Sequence, residues 1–319
     1  MRFIAGLVLT LAVAFSGAAK AQYPDRPIKL IVPQAAGSNT DLYARLVGAE
    51  MSKTLGQQII IENRPGAAFV VGLDAIAKSP PDGYTIGMGL IGGMAISPHM
   101  VAKLPYDVER DFLPVALVSR GYLILAVSQQ LPVNSVAELI DYAKKNPGKL
   151  SNASSSNGAP GHVAGELFKT MTGTQITHVP YRGGSLAVND LIAGHVNLMF
   201  EGLQSMGPSA REGKVRGLGI SATKRLPSLP NLPPISETVP GYEAATWNGI
   251  IAPARTPPEI VARLNRAVNE ARKSSLVIER FGLNGDEAGG GTPEQFAALI
   301  RADFVKWKDV VERTGVKLE

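Results

Sequence analysis

Three loops of small and polar residues carry the groups best suited to ligand binding in this 319-residue chain. The first follows Ile28 to Val32, an apolar run that stops at Pro33 and predicts a buried strand. A predicted amphipathic helix comes next, and Ser38 and Asp41 have capping-box spacing at its start. Amides in a first helical turn lack intrahelical partners, and the helix dipole attracts negative charge there. We therefore predict an anion site formed by Gln34, Ala35, Ala36, Gly37, Ser38, Asn39 and Asp41.

The second loop lies within residues 154–169 and again joins a predicted strand to a predicted helix. Small polar residues there can direct backbone N–H groups into a cleft. His162 and Glu166 share a helix face, but no H-E-x-x-H pattern accompanies them, so a structural role for His162 is favoured over metal binding. The predicted ligand contacts of this loop are Ser155, Ser156, Asn157, Gly158, Pro160 and His162.

The third loop ends at Gly183 and Gly184, which permit positive φ and close approach of a ligand. Tyr181 is a candidate wall of the site. Arg182 is either a partner for a carboxylate or a solvent-exposed side chain. Glu201 falls at the carboxyl end of a predicted strand, where open α/β sheets hold their ligands. It either binds an ammonium or hydroxyl group of the ligand or orders neighbouring loops.

Residues 87–92 match G-x-G-x-x-G after a predicted strand, a pattern typical of dinucleotide binding. That interpretation requires a helix directly after the glycines, but Ser97-Pro98 would interrupt such a helix near its start. We favour a loop that lines the ligand cleft and includes Gly89 and Leu90. The sequence has neither a G-x-S-x-G elbow nor a P-loop, and we expect no cofactor, no metal and no enzymatic activity.

Short apolar runs alternate with amphipathic helices, which is typical of a mostly parallel sheet. Phe112 to Val118 and Leu123 to Val127 are predicted as two strands that Arg120-Gly121 separates. Thr256 and Thr292, each followed by proline and then by Glu or Gln, predict capped helix starts. Further strands are predicted at Tyr84 to Met88, Leu150 to Ser154, Ile176 to Val179, Val196 to Phe200, Val215 to Ser221 and Trp247 to Ala252.

Two breaks in composition divide the chain, one near Arg120-Gly121 and one in the proline-rich stretch after Ser221. Residues 121–221 then form one lobe, and residues 22–120 and 222–319 together form the other. Two crossings between two α/β lobes are typical of hinged binding proteins, which hold a ligand between their lobes.

The N-terminus predicts export. Arg2, the apolar run Ile4 to Phe15 and Ala19-Lys20-Ala21 form a signal peptide, residues 1–21, with cleavage near Ala21/Gln22. The absence of cysteine excludes disulfides and thiol catalysis. Basic residues are scattered despite a formal charge of +5, which argues against nucleic-acid binding. We expect a periplasmic monomer.

These segments resemble the Bug family of periplasmic solute-binding proteins, which serve tripartite tricarboxylate transporters. The matching text includes PIKLIVPQAAGSNTD (27–41), GQQIIIENRPG (56–66), PDGY (81–84), SSSNGAPGHVAGELFK (154–169), THVPYRGG (177–184) and HVNLMFEGL (195–203). The resemblance covers essentially the whole mature chain.

It implies a two-lobed Venus flytrap fold, each lobe a mostly parallel sheet flanked by helices. The implied ligand is a small organic acid or amino acid, and the implied partner is a membrane permease. The family's usual PFPPGGSTD is PQAAGSNTD in this chain, which leaves the identity of the ligand open. Two alternatives use the same cleft: a ligand sensor for a membrane signalling protein, and a secreted enzyme.

Overall fold

The computed structural model describes residues 23–315, which form ten strands and ten α-helices that mostly alternate along the chain. The strands are β1 (Ile28–Val32), β2 (Ile59–Asn63), β3 (Thr85–Leu90), β4 (Phe112–Ser128), β5 (Leu150–Ser154), β6 (Ile176–Pro180), β7 (Leu198–Gly202), β8 (Val215–Ile220), β9 (Ala245–Pro253) and β10 (Glu287–Gly290). The helices are α1 (Asn39–Leu55), α2 (Val70–Ala77), α3 (Ser97–Met100), α4 (Val136–Lys145), α5 (Pro160–Thr172), α6 (Gly184–Ala193), α7 (Leu203–Arg211), α8 (Pro258–Ala271), α9 (Ser275–Leu283) and α10 (Pro293–Thr314). A π-helical turn, Gly92–Ile96, precedes α3, and a short 3-10 helix, Ile235–Glu237, lies between β8 and β9. This alternation confirms the predicted α/β class.

The sheet of the first lobe has the order β2-β1-β3-β9-β4-β10. Strands β1 to β3 are parallel, whereas β9, β4 and β10 pair antiparallel. Val32 on β1, Met51 on α1 and Leu264 on α8 belong to one fully buried core on a face of this sheet. The prediction of parallel strands therefore holds for β1 to β3, while the strands around β4 make the sheet mixed.

The sheet of the second lobe has the order β6-β5-β7-β4-β8. Strands β5, β6 and β7 are parallel, and β4 pairs antiparallel with both β7 and β8. Phe168 of α5, Phe200 of β7 and Tyr242 form an aromatic cluster beneath this sheet. The Tyr242 hydroxyl donates to the carbonyl of Ala164, 2.9 Å away, which fixes the segment before β9 against α5.

Strand β4 is shared by the two lobes. Its first part, through Tyr122, pairs with β9, and its second part, from Leu123, pairs with β7. The prediction of two strands broken at Arg120-Gly121 is therefore wrong. Gly121 continues the ladder opposite Thr246, and a Cβ atom on it would lie 2.2 Å from Oδ1 of Asp286. The glycine thus admits a neighbouring carboxyl group and does not end the strand.

The two predicted threonine caps have different outcomes. Thr292 and Gln295 form a complete capping box at the start of α10, as predicted. The prediction for Thr256 is wrong, because α8 starts one residue later, with Pro257 as its N-cap. The Thr256 hydroxyl instead donates to the carbonyl of Pro253, 2.7 Å away, and closes the turn after β9.

The predicted signal peptide, residues 1–21, lies outside the described residues. Between residues 23 and 315, none of the helices combines the length and the apolar character that crossing a membrane requires.

Candidate functional site

Two adjoining cavities lie beyond the carboxyl ends of β1, β3, β5 and β7, with walls from both lobes. The inner cavity has a volume of about 160 Å³ and the outer one about 450 Å³. Together they are large enough for a small metabolite with some water. They meet at six residues that line both: Gln34, Asn39, Phe69, Ser155, Pro160 and Glu201.

Many of the predicted ligand contacts converge on these cavities from distant parts of the sequence. Those that line a cavity wall are Gln34, Ala35, Ser38, Asn39, Leu90, Ser155, Ser156, Pro160, Gly183, Gly184 and Glu201. Gly89 lies one residue deeper in β3, where a Cβ atom would lie 2.5 Å from Sδ of Met94. Ala36 and Asn157 are exposed loop residues.

Asp41 lies beneath the first loop and fixes its shape through hydrogen bonds. It is buried, and its carboxylate accepts hydrogen bonds from the backbone N–H of Gly37 at 2.8 Å, from Arg45 at 3.0 Å and from Asn63 at 2.9 Å. Burial alone would raise the pKa of Asp41, but the bonds from Arg45, Gly37 and Asn63 lower it below its usual value. Gly37 and Asp41 bind each other and neither lines a cavity, and their predicted ligand contacts stay predictions.

Ser38 caps α1 as predicted, with its hydroxyl accepting from the Asp41 N–H at 3.2 Å. The Ser38 N–H itself donates to the carbonyl of Ala35. The amides of Asn39 and Thr40 fall in the first helical turn, where no preceding carbonyl can accept from them. These two amides are thus available as donors, whereas that of Gly37 is bonded to Asp41.

His162 lies behind the second loop and is not among the residues that line the two cavities. It is buried, its Nδ1 accepts from the Gly158 N–H at 3.0 Å, and its ring stacks on His178 at 3.6 Å. Burial lowers the pKa of His162 to about 3 and that of His178 to about 4, so both rings are neutral at pH 7. His162 and Gly158 therefore support the second loop, as the structural interpretation of His162 predicts, and their ligand contacts stay predictions.

The third loop lines the outer cavity with the backbone of its glycines and not with side chains. Arg182 is exposed, in line with the solvent-exposed alternative. The Tyr181 hydroxyl donates to Asp190, 2.6 Å away on α6, and Tyr181 is not among the residues that line the two cavities. The Gly183 N–H donates to the carbonyl of Ser155 at 2.9 Å and ties the third loop to the second.

Sequence reasoning missed the loop before α2. Ala67, Ala68 and Phe69 line the outer cavity with φ values of 45°, 50° and 77°, a left-handed run that non-glycine residues rarely adopt. Ser97 steadies it by donating from its hydroxyl to the carbonyl of Ala68 at 3.1 Å. The available signal was the NRPG text directly before this loop, which resembles the family motif.

Strand β9 supplies a second missed wall, made by Thr246, Trp247 and Asn248. Asn248 is buried, and its Oδ1 accepts from the Thr40 hydroxyl at 2.8 Å, which fixes β9 to the start of α1. The Trp247 indole donates to Asp303 at 2.7 Å. No motif marked these residues, because only the sheet order brings β9 beside β3.

Five helices begin at this cleft: α1, α2, α5, α6 and α7. Their first residues or N-caps, which line the cavities, are Asn39, Phe69, Pro160, Gly184 and Gly202. Each terminus presents unpaired amides and a partial positive charge. Among the lining residues of the described chain, none is lysine, arginine or histidine. The positive potential of the site therefore comes from backbone and not from side chains.

Glu201 is the one ionisable side chain among these lining residues of the described chain. Its Oε1 accepts from the Gly202 N–H at 2.9 Å, and its Oε2 lies 3.2 Å from the position that a Cβ atom on Gly184 would take. Burial raises the pKa of Glu201 to about 7. Residues 23–315 contain no group of three His, Asp or Glu side chains arranged to bind a metal ion.

Comparisons with known proteins agree on one family. Residues 43–316 match the family described as "Tripartite tricarboxylate transporter family receptor". Protein BugT of Bordetella pertussis is 36% identical over 299 residues, which are 93% of this chain and 92% of BugT.

Solved structures extend the match to the fold. R. palustris Rpa4515 with adipate has a TM-score of 0.84 at 39% identity, over 92% of this chain and 99% of that one. MatC from Rhodopseudomonas palustris with bound malate has a TM-score of 0.81 at 34% identity, over 91% of this chain and 100% of that one. The two-lobed α/β architecture predicted from the sequence is confirmed by this similarity.

Proposed function

The chain belongs to the family of tripartite tricarboxylate transporter receptors, and we propose that it is an exported receptor that binds a small carboxylate-bearing solute between its lobes. One observation carries the proposal: five helix N-termini meet at a cleft, and its lining residues within the described part of the chain include no cationic side chain. Such a site attracts an anion through amides and dipoles. The similar proteins solved with adipate and with malate hold carboxylates.

The helix dipoles alone do not account for a useful affinity. Each contributes about 0.3–1 kcal/mol, whereas a micromolar ligand requires about 8 kcal/mol. Direct hydrogen bonds from the amides of Asn39, Thr40 and Gly161 and burial against Phe69 and Ile91 supply the remainder in this proposal.

We propose that the two lobes meet at two crossings. The first is supported by β4, whose pairing partner changes from β9 at Tyr122 to β7 at Leu123. The second is supported by Tyr242, which packs on α5, and by Ala245, where pairing with β4 resumes in β9. In this proposal the lobe between the two crossings comprises about residues 123–244, whereas composition predicted 121–221.

We further propose that the protein works in the periplasm and delivers its ligand to a membrane permease of the tripartite type. Family membership and the signal-like segment 1–21 support this. Mass spectrometry of the protein from its native host should find a chain that starts near Gln22. A chain with an intact Met1 in the cytoplasmic fraction would contradict export.

A carboxylate panel tests the receptor function. Protein purified from the periplasm is titrated by calorimetry with mono-, di-, hydroxy- and amino-carboxylates of three to eight carbons, and melting is followed in parallel, since a ligand raises stability by RT ln(1 + [L]/Kd). At least one compound should bind with a Kd in the micromolar range or below.

Gly202→Leu is the variant that blocks the cleft. A Cβ atom on Gly202 meets nothing within 4 Å, so the new side chain extends into the inner cavity without a clash at its base. Gly282→Leu on α9 is the matched control, because its Cβ also meets nothing within 4 Å and it lies on an exposed helix. Binding that survives in Gly202→Leu, or a panel in which no carboxylate binds, would refute the proposal.

A further inference from the structure

Glu201 places a carboxyl group in a cleft whose other features attract anions. It lies at the end of β7, where the inner and outer cavities meet. Five helix N-termini border the same cavities and make their potential positive. Because Glu201 lines both cavities, a carboxylate that occupies either one comes close to it. Two negative charges at such a spacing repel each other, so the site has to neutralise one of them.

The residues around Glu201 do not supply the neutralising charge. Those that line both cavities with it are all uncharged, namely Gln34, Asn39, Phe69, Ser155 and Pro160. Its pairing partner on β4, Ile124, and the lining residue Ser205 on α7 are also uncharged. The lining of the described chain therefore offers Glu201 no cationic side chain.

The charged and titratable groups of the surrounding elements are bonded to other partners or exposed. His162 of α5 stacks on His178 of β6, and burial keeps both rings neutral at pH 7. The other groups are Arg120 of β4 with Glu243, Glu166 of α5 with Lys169, Asp190 of α6 with Tyr181, Asp41 of α1 with Arg45, Asp74 of α2 with Lys78, Asp286 with Tyr43, and the exposed Arg182 and Arg211. A proton from solvent is then the remaining means of neutralising Glu201.

The two oxygens of Glu201 have different surroundings. Oε1 accepts from the Gly202 N–H at 2.9 Å, whereas Oε2 lies near Gly184 and has no hydrogen-bond partner among the described residues. A proton on Oε2 leaves the bond to Oε1 intact and makes Oε2 a donor. Burial raises the pKa of Glu201 to about 7, although the bond from Gly202 opposes the rise. The free receptor therefore gains or loses this proton near neutral pH.

We propose that the receptor takes up one proton from solvent with each carboxylate, and that the protonated Glu201 donates from Oε2 to the bound ligand. This inference rests on the proposed function. The ligand and Glu201 then share one proton, because two carboxyl groups in contact cannot both stay ionised. Binding weakens as the pH rises, and release of the ligand returns the proton to solvent.

Calorimetry in phosphate and in Tris measures the uptake, because the two buffers release protons with different enthalpies. Succinate, adipate and hexanoate are the probes, together with the tightest ligand of the carboxylate panel. At pH 8 the wild type should take up about 0.5 proton or more per ligand, and less at pH 6.5, where Glu201 is already mostly protonated. The Kd should rise by about tenfold between pH 6.5 and pH 8.5.

Glu201→Gln tests the residue, because a glutamine resembles the protonated acid. It keeps an oxygen for the Gly202 N–H and places an N–H donor beside it without a charge. The variant should retain binding, take up no proton, show a Kd that does not vary with pH, and bind more tightly than the wild type at pH 8.5. Glu212→Gln, which removes one exposed charge from the end of α7, is the matched control and should behave like the wild type. Circular dichroism and melting establish that both variants fold.

The outcomes separate this inference from the receptor function. Three results overturn the proton uptake while the receptor function stands: binding without uptake, uptake that persists in Glu201→Gln and so belongs to another group such as Asp286, or binding by Glu201→Gln that is at least tenfold weaker than wild type at pH 8.5. Failure of every carboxylate to bind overturns both. Uptake that Glu201→Gln abolishes while binding is retained supports both.

Discussion

Asp41 shows how a single residue under a binding loop can set the shape of the loop. Its carboxylate is buried and holds Gly37, Arg45 and Asn63 together. Asn63 also donates to the carbonyl of Gln34 at 3.0 Å, so the same group of bonds fixes the loop from both sides. The cavity wall formed by Gln34 and Asn39 depends on this buried acceptor.

Asp41→Asn replaces an acceptor oxygen with a donor that faces other donors. We expect a loss of about 2 kcal/mol or more in the free energy of unfolding, since hydrogen bonds to a charged group are lost in a buried site. Ligand affinity should fall at least tenfold. Arg45→Ala is the control, because that side chain is 52% exposed and its pair should contribute about 1 kcal/mol or less. Urea denaturation and calorimetry measure both; equal losses in the two variants would contradict this account.

Glu201 should also change how the free energy of unfolding depends on pH. Burial raises its pKa from 4.5 to about 7, so the folded state binds more protons than the unfolded state between these values. Stability from this group therefore falls as pH rises from about 4.5 to about 7. The lowered pKa values of His162 and His178 act in the opposite direction.

Comparison with Glu201→Gln isolates that contribution, because the histidines are common to both proteins. The difference in unfolding free energy, wild type minus variant, should decrease steadily between pH 4.5 and pH 7.5 in urea denaturation. A difference that does not vary with pH would show that Glu201 titrates like an exposed glutamate.

At the scale of elements, the sequence predicts the strand–loop–helix connections. It does not predict which distant segments pack against them. The loops after β1 and β5 reach the cavity because a strand, small residues and a helix start are visible in sequence. The sequence predicts a strand break at Gly121, because the carboxyl group of Asp286 that explains the glycine is distant in sequence. The wall from β9 was missed for the same reason, since sheet order is a property of the assembled fold.

Helix α2 must lie very close to the loop after β1. A Cβ atom on Gly72 would lie 2.6 Å from Cα of Pro33 and 2.8 Å from the carbonyl oxygen of Arg64, and both of these atoms are backbone. Gly72→Ala therefore forces α2 away and should destabilise the protein by about 2 kcal/mol.

Gly282→Ala in α9 is the matched control, because its Cβ meets nothing within 4 Å. It should stabilise the protein by up to about 1 kcal/mol through helix propensity. Chemical denaturation of the two variants provides the measurement, and a neutral Gly72→Ala would contradict the close packing of α2.

For the whole molecule, the contacts around β4 connect the proposed hinge to the cleft. The cavity walls come from both lobes, and β4 changes its pairing partner from β9 to β7 at Tyr122–Leu123. Arg120 pairs with Glu243 at 2.8 Å, and Lys306 of α10 donates to the carbonyl of Glu243 at 2.6 Å, so charged contacts join the two proposed crossings.

Ligand should draw the lobes together and reduce the radius of gyration, as hinge closure does. Small-angle scattering with and without a saturating carboxylate measures the change. Gly202→Leu, which fills the inner cavity, should show no ligand-dependent change, and Gly282→Leu should respond like wild type. An unchanged wild-type profile under saturating ligand would contradict closure.

The continuity of β4 also affects whether the two lobes can be separated or exchanged between related proteins. Any cut between Phe112 and Ser128 divides one continuous strand and leaves each lobe with only part of it. We therefore expect recombination between related genes to conserve folding best when it exchanges both lobes together. New ligand preferences in this scaffold are then expected to arise from substitutions and insertions in the cleft loops, with the lobes inherited as a pair.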